Sequence, residues 1–261
     1  MWTLRRNQWV TLQSFLWLPL LGLSAVVPFL EVSERFRAGV HGAMLALAAA
    51  SYVYLVRILG AGRNVADRIT LARFGIFFLV SCAILLFERS GFGLWFLLVV
   101  SVTLDLVDGW AARRFGASEQ GAVLDMETDQ FATLFLALIA HGMATQGPAQ
   151  SGRLEGLWVL GLGSALFLVL PAFKYAFALG LRNAPRVNEP KPAGQNNTRG
   201  RRICASVLIG LLACTLPVLQ ESSVAAYGRL ALALVLVALL GSSFAGDLRY
   251  MKKPAGASRS G

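Results

Sequence analysis

Apolar runs separated by short polar segments recur along the whole chain. A helix that crosses a bilayer needs about 20 largely apolar residues. Runs of that kind predict eight helices, at roughly 10–30, 38–60, 70–87, 92–112, 121–146, 154–181, 203–219 and 224–246. The longest polar stretch, 182–202, is rich in Pro, Gly and Asn and reads as a loop. Arg5 and Arg6 precede the first run, as in a signal peptide. No small-x-small cleavage site follows, so that run reads as a retained anchor. The pattern predicts an all-α polytopic membrane bundle of about eight transmembrane helices.

Composition narrows the class. Hydrophobic residues make up 56% of the 261 residues and charged residues 15%, against about 25% charge in soluble domains. A disordered chain and a disulfide-rich secreted domain are excluded. The net charge is +10. Aromatic residues do not interleave with the basic ones, so the charge points to membrane headgroups and not to nucleic acid. Cys82, Cys204 and Cys214 are odd in number and scattered, which argues against a disulfide framework or a zinc site. His41 and His141 are single and read as packed or interfacial.

Basic residues orient the bundle. With the N-terminus inside, 18 of the 24 Lys and Arg fall in inner segments. Arg35, Arg37, Arg89, Arg153 and Arg229 fall outside, and Lys174 lies within a helix. The positive-inside rule then places both termini on the cytoplasmic side, in an inner (cytoplasmic) membrane.

The acidic residues are uneven. Glu31, Glu34, Glu88, Glu155 and Glu221 lie in outer loops. Asp105, Asp108, Asp125 and Asp129 instead sit at the cytoplasmic ends of two consecutive apolar helices, where carboxylates are costly and point to function. Asp105 and Asp108 are three apart and share a helix face, as do Asp125 and Asp129, four apart. A turn near 114–120 lets the two antiparallel helices aim all four into one volume. Such charges repel, and divalent cations remove that problem. An all-oxygen set suits Mg²⁺, Mn²⁺ or Ca²⁺. Gly109, Ala112 and Gly121 fill the same stripes and leave room for a ligand beside the backbone. Arg113 offers a planar fork to phosphate. Together these suggest a diphosphate held by metal at the membrane surface. On spacing alone, an ion-pair network of Asp105 and Asp108 with Arg113 and Arg114 competes with that reading. Glu127, two after Asp125, points away from the row and reads as a helix–helix contact.

The segment Asp105-Leu-Val-Asp108-Gly109-Trp-Ala-Ala112-Arg113, followed by Gly121-Ala-Val-Leu-Asp125-Met-Glu-Thr-Asp129, resembles the signature of the CDP-alcohol phosphotransferases, DxxDGxxAR…GxxxDxxxD. All eight signature residues stand in order within 105–129. Seven residues separate Arg113 from Gly121, where the family more often has eight. Upstream, Thr70-Leu-Ala-Arg73 is similar to the end of the family's Asn-x-x-Thr-x-x-Arg run, with Asp67 in the place of Asn.

The resemblance implies a six-helix catalytic core, here 63–248, preceded by an additional helix pair in 1–62 and followed by a basic tail, 249–261. It implies an enzyme that moves a substituted phosphoryl group from a CDP-linked alcohol to an acceptor hydroxyl and releases CMP. Asp105, Asp108, Asp125 and Asp129 would hold Mg²⁺ or Mn²⁺, as two ions, and Asp129 would take the acceptor's proton. Gly109, Ala112, Arg113 and Gly121, with Thr70 and Arg73, would contact the nucleotide. It also implies a homodimer. Several members place an arginine where an acceptor phosphate binds. Lys174, with Arg182, Arg201 and Arg202, is the candidate set here for an anionic polyol acceptor, which favours CDP-diacylglycerol as donor. A transferase using a soluble CDP-aminoalcohol is the nearest alternative. A divalent-cation transporter and a non-catalytic scaffold are the alternatives of other classes.

Overall fold

In a bilayer each backbone N–H and C=O must be satisfied within its own segment, so apolar runs of this length fold as helices. A computed structural model of the chain describes residues 2–27, 30, 33–61, 64–87, 91–116, 118–146, 154–180, 198–217 and 223–251. Among these it contains eight helices and no strand. They are α1 (Trp2–Val26), α2 (Glu34–Leu59), α3 (Val65–Leu85), α4 (Phe92–Phe115), α5 (Glu119–Gln146), α6 (Leu154–Gly180), α7 (Thr198–Cys214) and α8 (Ser223–Met251). Among the described residues, four stretches are long and apolar enough to span a membrane: α2, α3, α4 and Tyr227–Gly246 of α8. Shorter apolar stretches run through Thr11–Val26, Gly163–Phe177 and Arg202–Cys214.

The eight predicted runs each coincide with a helix, but the ends differ. Hydropathy marks where the apolar stretch begins, whereas the hydrogen-bond ladder of α1 starts at Trp2 and that of α7 at Thr198. At its other end α7 stops at Cys214 and not near 219. Pro217 follows closely, and the residue before a proline is disfavoured in helix. Most of the predicted 182–202 loop and of the basic tail lies outside the described residues.

Helix α5 is the axis of the bundle. Of residues 131–143 all but Thr133 are buried, and α3, α6, α7 and α2 pack around it. Helix α3 also lies along α4, α1 lies along α6, and α8 covers α6 and α7. Polar bonds fix these neighbours. Trp95 Nε1 donates to the Leu212 carbonyl at 3.1 Å, tying α4 to α7. His141 is buried, with Nε2 3.0 Å from the Ser24 carbonyl, tying α5 to α1. In α1, Trp17 Nε1 donates to Gln13 Oε1 at 2.6 Å, and Gln13 Nε2 donates to Ser51 Oγ of α2 at 3.1 Å. Gln13, Ser51 and Trp17 are all buried, so these bonds replace water that the groups have lost.

Candidate active site

The turn between α4 and α5 is short. Helix α4 ends at Phe115, and Gly116 follows with φ +96°, a conformation that glycine adopts without strain. Ser118 Oγ then accepts from the Gly121 backbone N–H at 2.9 Å and caps the start of α5. This turn brings the C-terminal end of α4 beside the N-terminal end of α5. Carboxylate oxygens of Asp105, Asp108 and Asp125 come within 4.8 Å of one another.

Helix α3 supplies the countercharge. Arg73 is fully buried, and its fork reaches both acidic pairs. Arg73 Nη1 donates to Asp105 Oδ1 at 2.6 Å and to Asp108 Oδ2 at 3.0 Å. It lies 3.4 Å from Asp125 Oδ1. Arg73 Nη2 donates to Asp129 Oδ1. Three residues earlier on the same face, the Thr70 hydroxyl lies 3.1 Å from Asp108 Oδ2 and 3.1 Å from the Ala66 carbonyl. Thr70 and Arg73, assigned by resemblance to the nucleotide, thus touch the carboxylates directly. Among the described residues, Asp105 and Asp108 pair with Arg73 and not with Arg113 or Arg114. The interfacial network that the spacing alone allowed is not the arrangement found.

A cleft of about 160 Å³ opens at this end of the bundle. Thr70, Asp108, Gly109, Ala112, Gly121 and Asp125 line it, together with Asp67 and Ser118. The small signature residues therefore do form a wall, shared between α4 and α5. Arg113 is exposed in the last turn of α4, and its Nη1 lies over Gly109. Gly121 is required by close approach: a Cβ there would lie 2.7 Å from Asp67 Oδ1 and 2.9 Å from Ser118 Oγ. Asp67, noted in the sequence only as standing in the place of the motif's Asn, and Ser118, not singled out there, are further residues of the cleft. The signals were a carboxylate three residues before Thr70 and a serine three before Gly121.

The donor set fits a divalent cation. It is all oxygen, as hard cations prefer. Asp125 Oδ1 is buried and makes no hydrogen bond of good geometry, with Arg73 Nη1 as its ion-pair partner at 3.4 Å. Ligand oxygens on one Mg²⁺, each at about 2.1 Å, can be no more than about 4.2 Å apart, so the three carboxylates must draw together by less than an ångström, and Arg73 Nη1, which now touches all three, must give way to the ion. Asp105, Asp108 and Asp125 can hold such an ion, while Asp129 stands beside them on Arg73.

The remaining expected residues lie elsewhere. Lys174 of α6 donates to Glu127 Oε2 at 2.9 Å, on the side of α5 turned away from the Asp125–Asp129 row. Glu127 thus makes the helix–helix contact expected of it. Arg202 is exposed near the start of α7. Arg182 and the side chain of Arg201 lie outside the described residues.

Searches of curated proteins and of solved structures each found no match. A family model described as CDP-alcohol phosphatidyltransferase matches residues 63–241. The match covers more than half of the chain, from the approach to α3 into α8, and takes in every residue of the cleft and of the carboxylate cluster. The chain therefore belongs to the CDP-alcohol phosphatidyltransferase family: it is a helical membrane enzyme that transfers a substituted phosphoryl group from a CDP-linked alcohol.

Proposed function

We propose that the enzyme transfers a phosphatidyl group from CDP-diacylglycerol to the hydroxyl of a small, anionic polyol and releases CMP, with Mg²⁺ or Mn²⁺ as cofactor. The observation that carries this reading is the cleft itself. It joins a wall of Gly109, Ala112 and Gly121 to the carboxylates of Asp108 and Asp125 at one end of a membrane bundle. The acyl chains of a lipid donor would stay in the bilayer while its diphosphate reaches the aspartates. We place this end, and both termini, on the cytoplasmic face of an inner membrane, as the basic residues favour.

In the proposed reaction the acceptor oxygen forms a bond to the phosphatidyl phosphorus. The bond from that phosphorus to the bridging oxygen of CMP breaks, and CMP leaves with the electron pair. Asp129 takes the acceptor's proton on a carboxylate oxygen. Arg73 orients that carboxylate, and Thr70 holds Asp108 in place. Asp105, Asp108 and Asp125, with Asp129 alongside, would hold the metal, which when bound neutralises the diphosphate and polarises the phosphoryl group. Gly109, Ala112 and Gly121 let the nucleotide approach the backbone, and Arg113 meets its phosphates at the rim. Residues 63–248 form the catalytic unit in this reading, with 1–62 as an additional pair and 249–261 as a basic tail. Family resemblance supports a homodimer.

An anionic acceptor would be met by Arg182, Arg201 and Arg202. Lys174 joins them only if the acceptor's anion replaces Glu127 as its partner. The test is CMP release by the purified protein from CDP-diacylglycerol with Mg²⁺ or Mn²⁺. Glycerol 3-phosphate, inositol phosphate, inositol and serine are offered in turn, with Asp108→Asn as control. Release that depends on a phosphorylated polyol and is lost in Asp108→Asn supports the proposal. Release only from CDP-aminoalcohols with diacylglycerol refutes the donor assignment. Cation flux in proteoliposomes without CMP refutes the transferase reading.

A further inference from the structure

Helix α2 lies outside the residues matched by the family model, yet one of its side chains reaches the catalytic helices from behind. Tyr52 is buried. Its ring lies parallel to that of Phe74 on α3, with centroids 3.6 Å apart, and edge-on to Phe131 on α5 at 5.7 Å. Its hydroxyl is 2.7 Å from Thr128 Oγ1. Thr128 has one hydroxyl proton, which it donates to the Leu124 carbonyl at 2.8 Å. Tyr52 is therefore the donor in the bond between them.

The two residues that Tyr52 holds adjoin the chemistry. Phe74 follows Arg73, and Thr128 precedes Asp129. Successive helical residues are about 100° apart around the axis. A side chain that locks Phe74 and Thr128 therefore fixes the rotation of α3 and α5, and with it the direction of Arg73 and Asp129.

We infer that Tyr52 is a positioning residue for the carboxylate cluster, and that α2, one of the N-terminal helix pair, braces the active site as well as anchoring the chain. The inference rests on the transferase reading for its kinetic consequence but not for its structural one. The bond from Tyr52 to Thr128 is buried at both ends, so it exchanges poorly with water and holds its geometry.

The test uses the full chain in lipid nanodiscs, with Tyr52→Phe, Thr128→Val, the double variant and Trp95→Phe. Trp95→Phe deletes a hydrogen bond between α4 and α7 and serves as the purely structural comparison. CMP release, Mn²⁺ affinity and thermal unfolding are measured on each. Tyr52→Phe keeps the ring and loses only the donor. It and Thr128→Val are each expected to lower kcat and weaken Mn²⁺ binding about tenfold, the range for groups that orient metal ligands. The donor KM is expected to stay within about twofold, since removing an interaction felt at the transition state lowers kcat alone. The double variant is expected to match the worse single one, because both remove the same bond. Trp95→Phe is expected to lower the unfolding temperature and leave kcat and Mn²⁺ affinity intact.

Additive effects, or an equal loss of kcat in Trp95→Phe, would overturn the inference. Wild-type protein that binds Mn²⁺ but makes no CMP from any CDP-alcohol refutes the transferase reading alone. Mn²⁺ affinity unchanged by Tyr52→Phe refutes the brace alone.

Discussion

Gly121→Ala adds one methyl group where α5 meets α3, and its cost can be worked from the contacts. Alanine is favoured over glycine in a helix by about 1 kcal/mol. Against this, the new Cβ would stand 2.7 Å from Asp67 Oδ1 and 2.9 Å from Ser118 Oγ. Both are side-chain ends on the cleft wall, and each must shift to make room. Asp67 is buried, and Ser118 Oγ is held by its capping bond to the Gly121 N–H. Overpacking of this kind costs about 1–3 kcal/mol, and loss of the cap about 1 kcal/mol more. The balance is a net destabilisation of about 1–3 kcal/mol.

The displacement matters more to activity than to stability. It moves the start of α5 away from α3 by several tenths of an ångström, and Asp125 lies one turn further along. A misplacement of 1 Å can cost about 100-fold, so kcat/KM should fall at least about tenfold. Two controls bracket the effect. A Cβ at Gly22 meets nothing within 4 Å, so Gly22→Ala should leave activity unchanged. A Cβ at Gly109 meets only Arg113 Nη1, at 3.7 Å, so Gly109→Ala should fold normally and lose activity only through the ligand. CMP release and thermal unfolding on the three variants decide it. Wild-type activity and stability in Gly121→Ala would refute the packing argument.

Other perturbations have equally definite outcomes. Arg73→Ala leaves four carboxylates without their shared cation. Breaking a buried pair costs about 3–5 kcal/mol, less here because Asp105 and Asp125 are partly exposed. The loss should shrink when Mn²⁺ is added, and unfolding curves with and without metal would show it. Removing metal with a chelator should abolish CMP release while the fold persists, and Mg²⁺ or Mn²⁺ should restore it. Persistent activity in chelator would exclude the metal role. Glu127→Gln or Lys174→Met should destabilise the protein more than the double variant does, because each alone leaves a buried charge unpaired. Additive losses in chemical denaturation would contradict that.

What the sequence revealed was what is local along it. The two acidic pairs announce themselves at spacings of three and four, and the small residues stand in step with them. Runs of apolar residues located every helix among the described residues, though not its terminal turns. What it concealed was set by packing between distant segments. Arg73 sits among the aspartates only because α3 lies along both α4 and α5. Lys174 finds Glu127 47 residues away, and Tyr52 finds Thr128 76 residues away. No periodicity encodes such pairings. Asp67 was visible as a departure from a motif, but its place against Gly121 is a contact across two helices.

The residues that shape the carboxylate cluster all lie between Tyr52 and Asp129. The chain is synthesised from its N-terminus, at about 5–20 residues per second. The brace, the arginine and the four aspartates are therefore all synthesised before α6. During biogenesis, the charges most costly to leave in lipid can be neutralised by Arg73 as soon as α5 is inserted. Helices α6 to α8 then arrive to enclose α5, not to build the cluster. Chain order thus lets the nascent protein settle its electrostatics first and its packing afterwards.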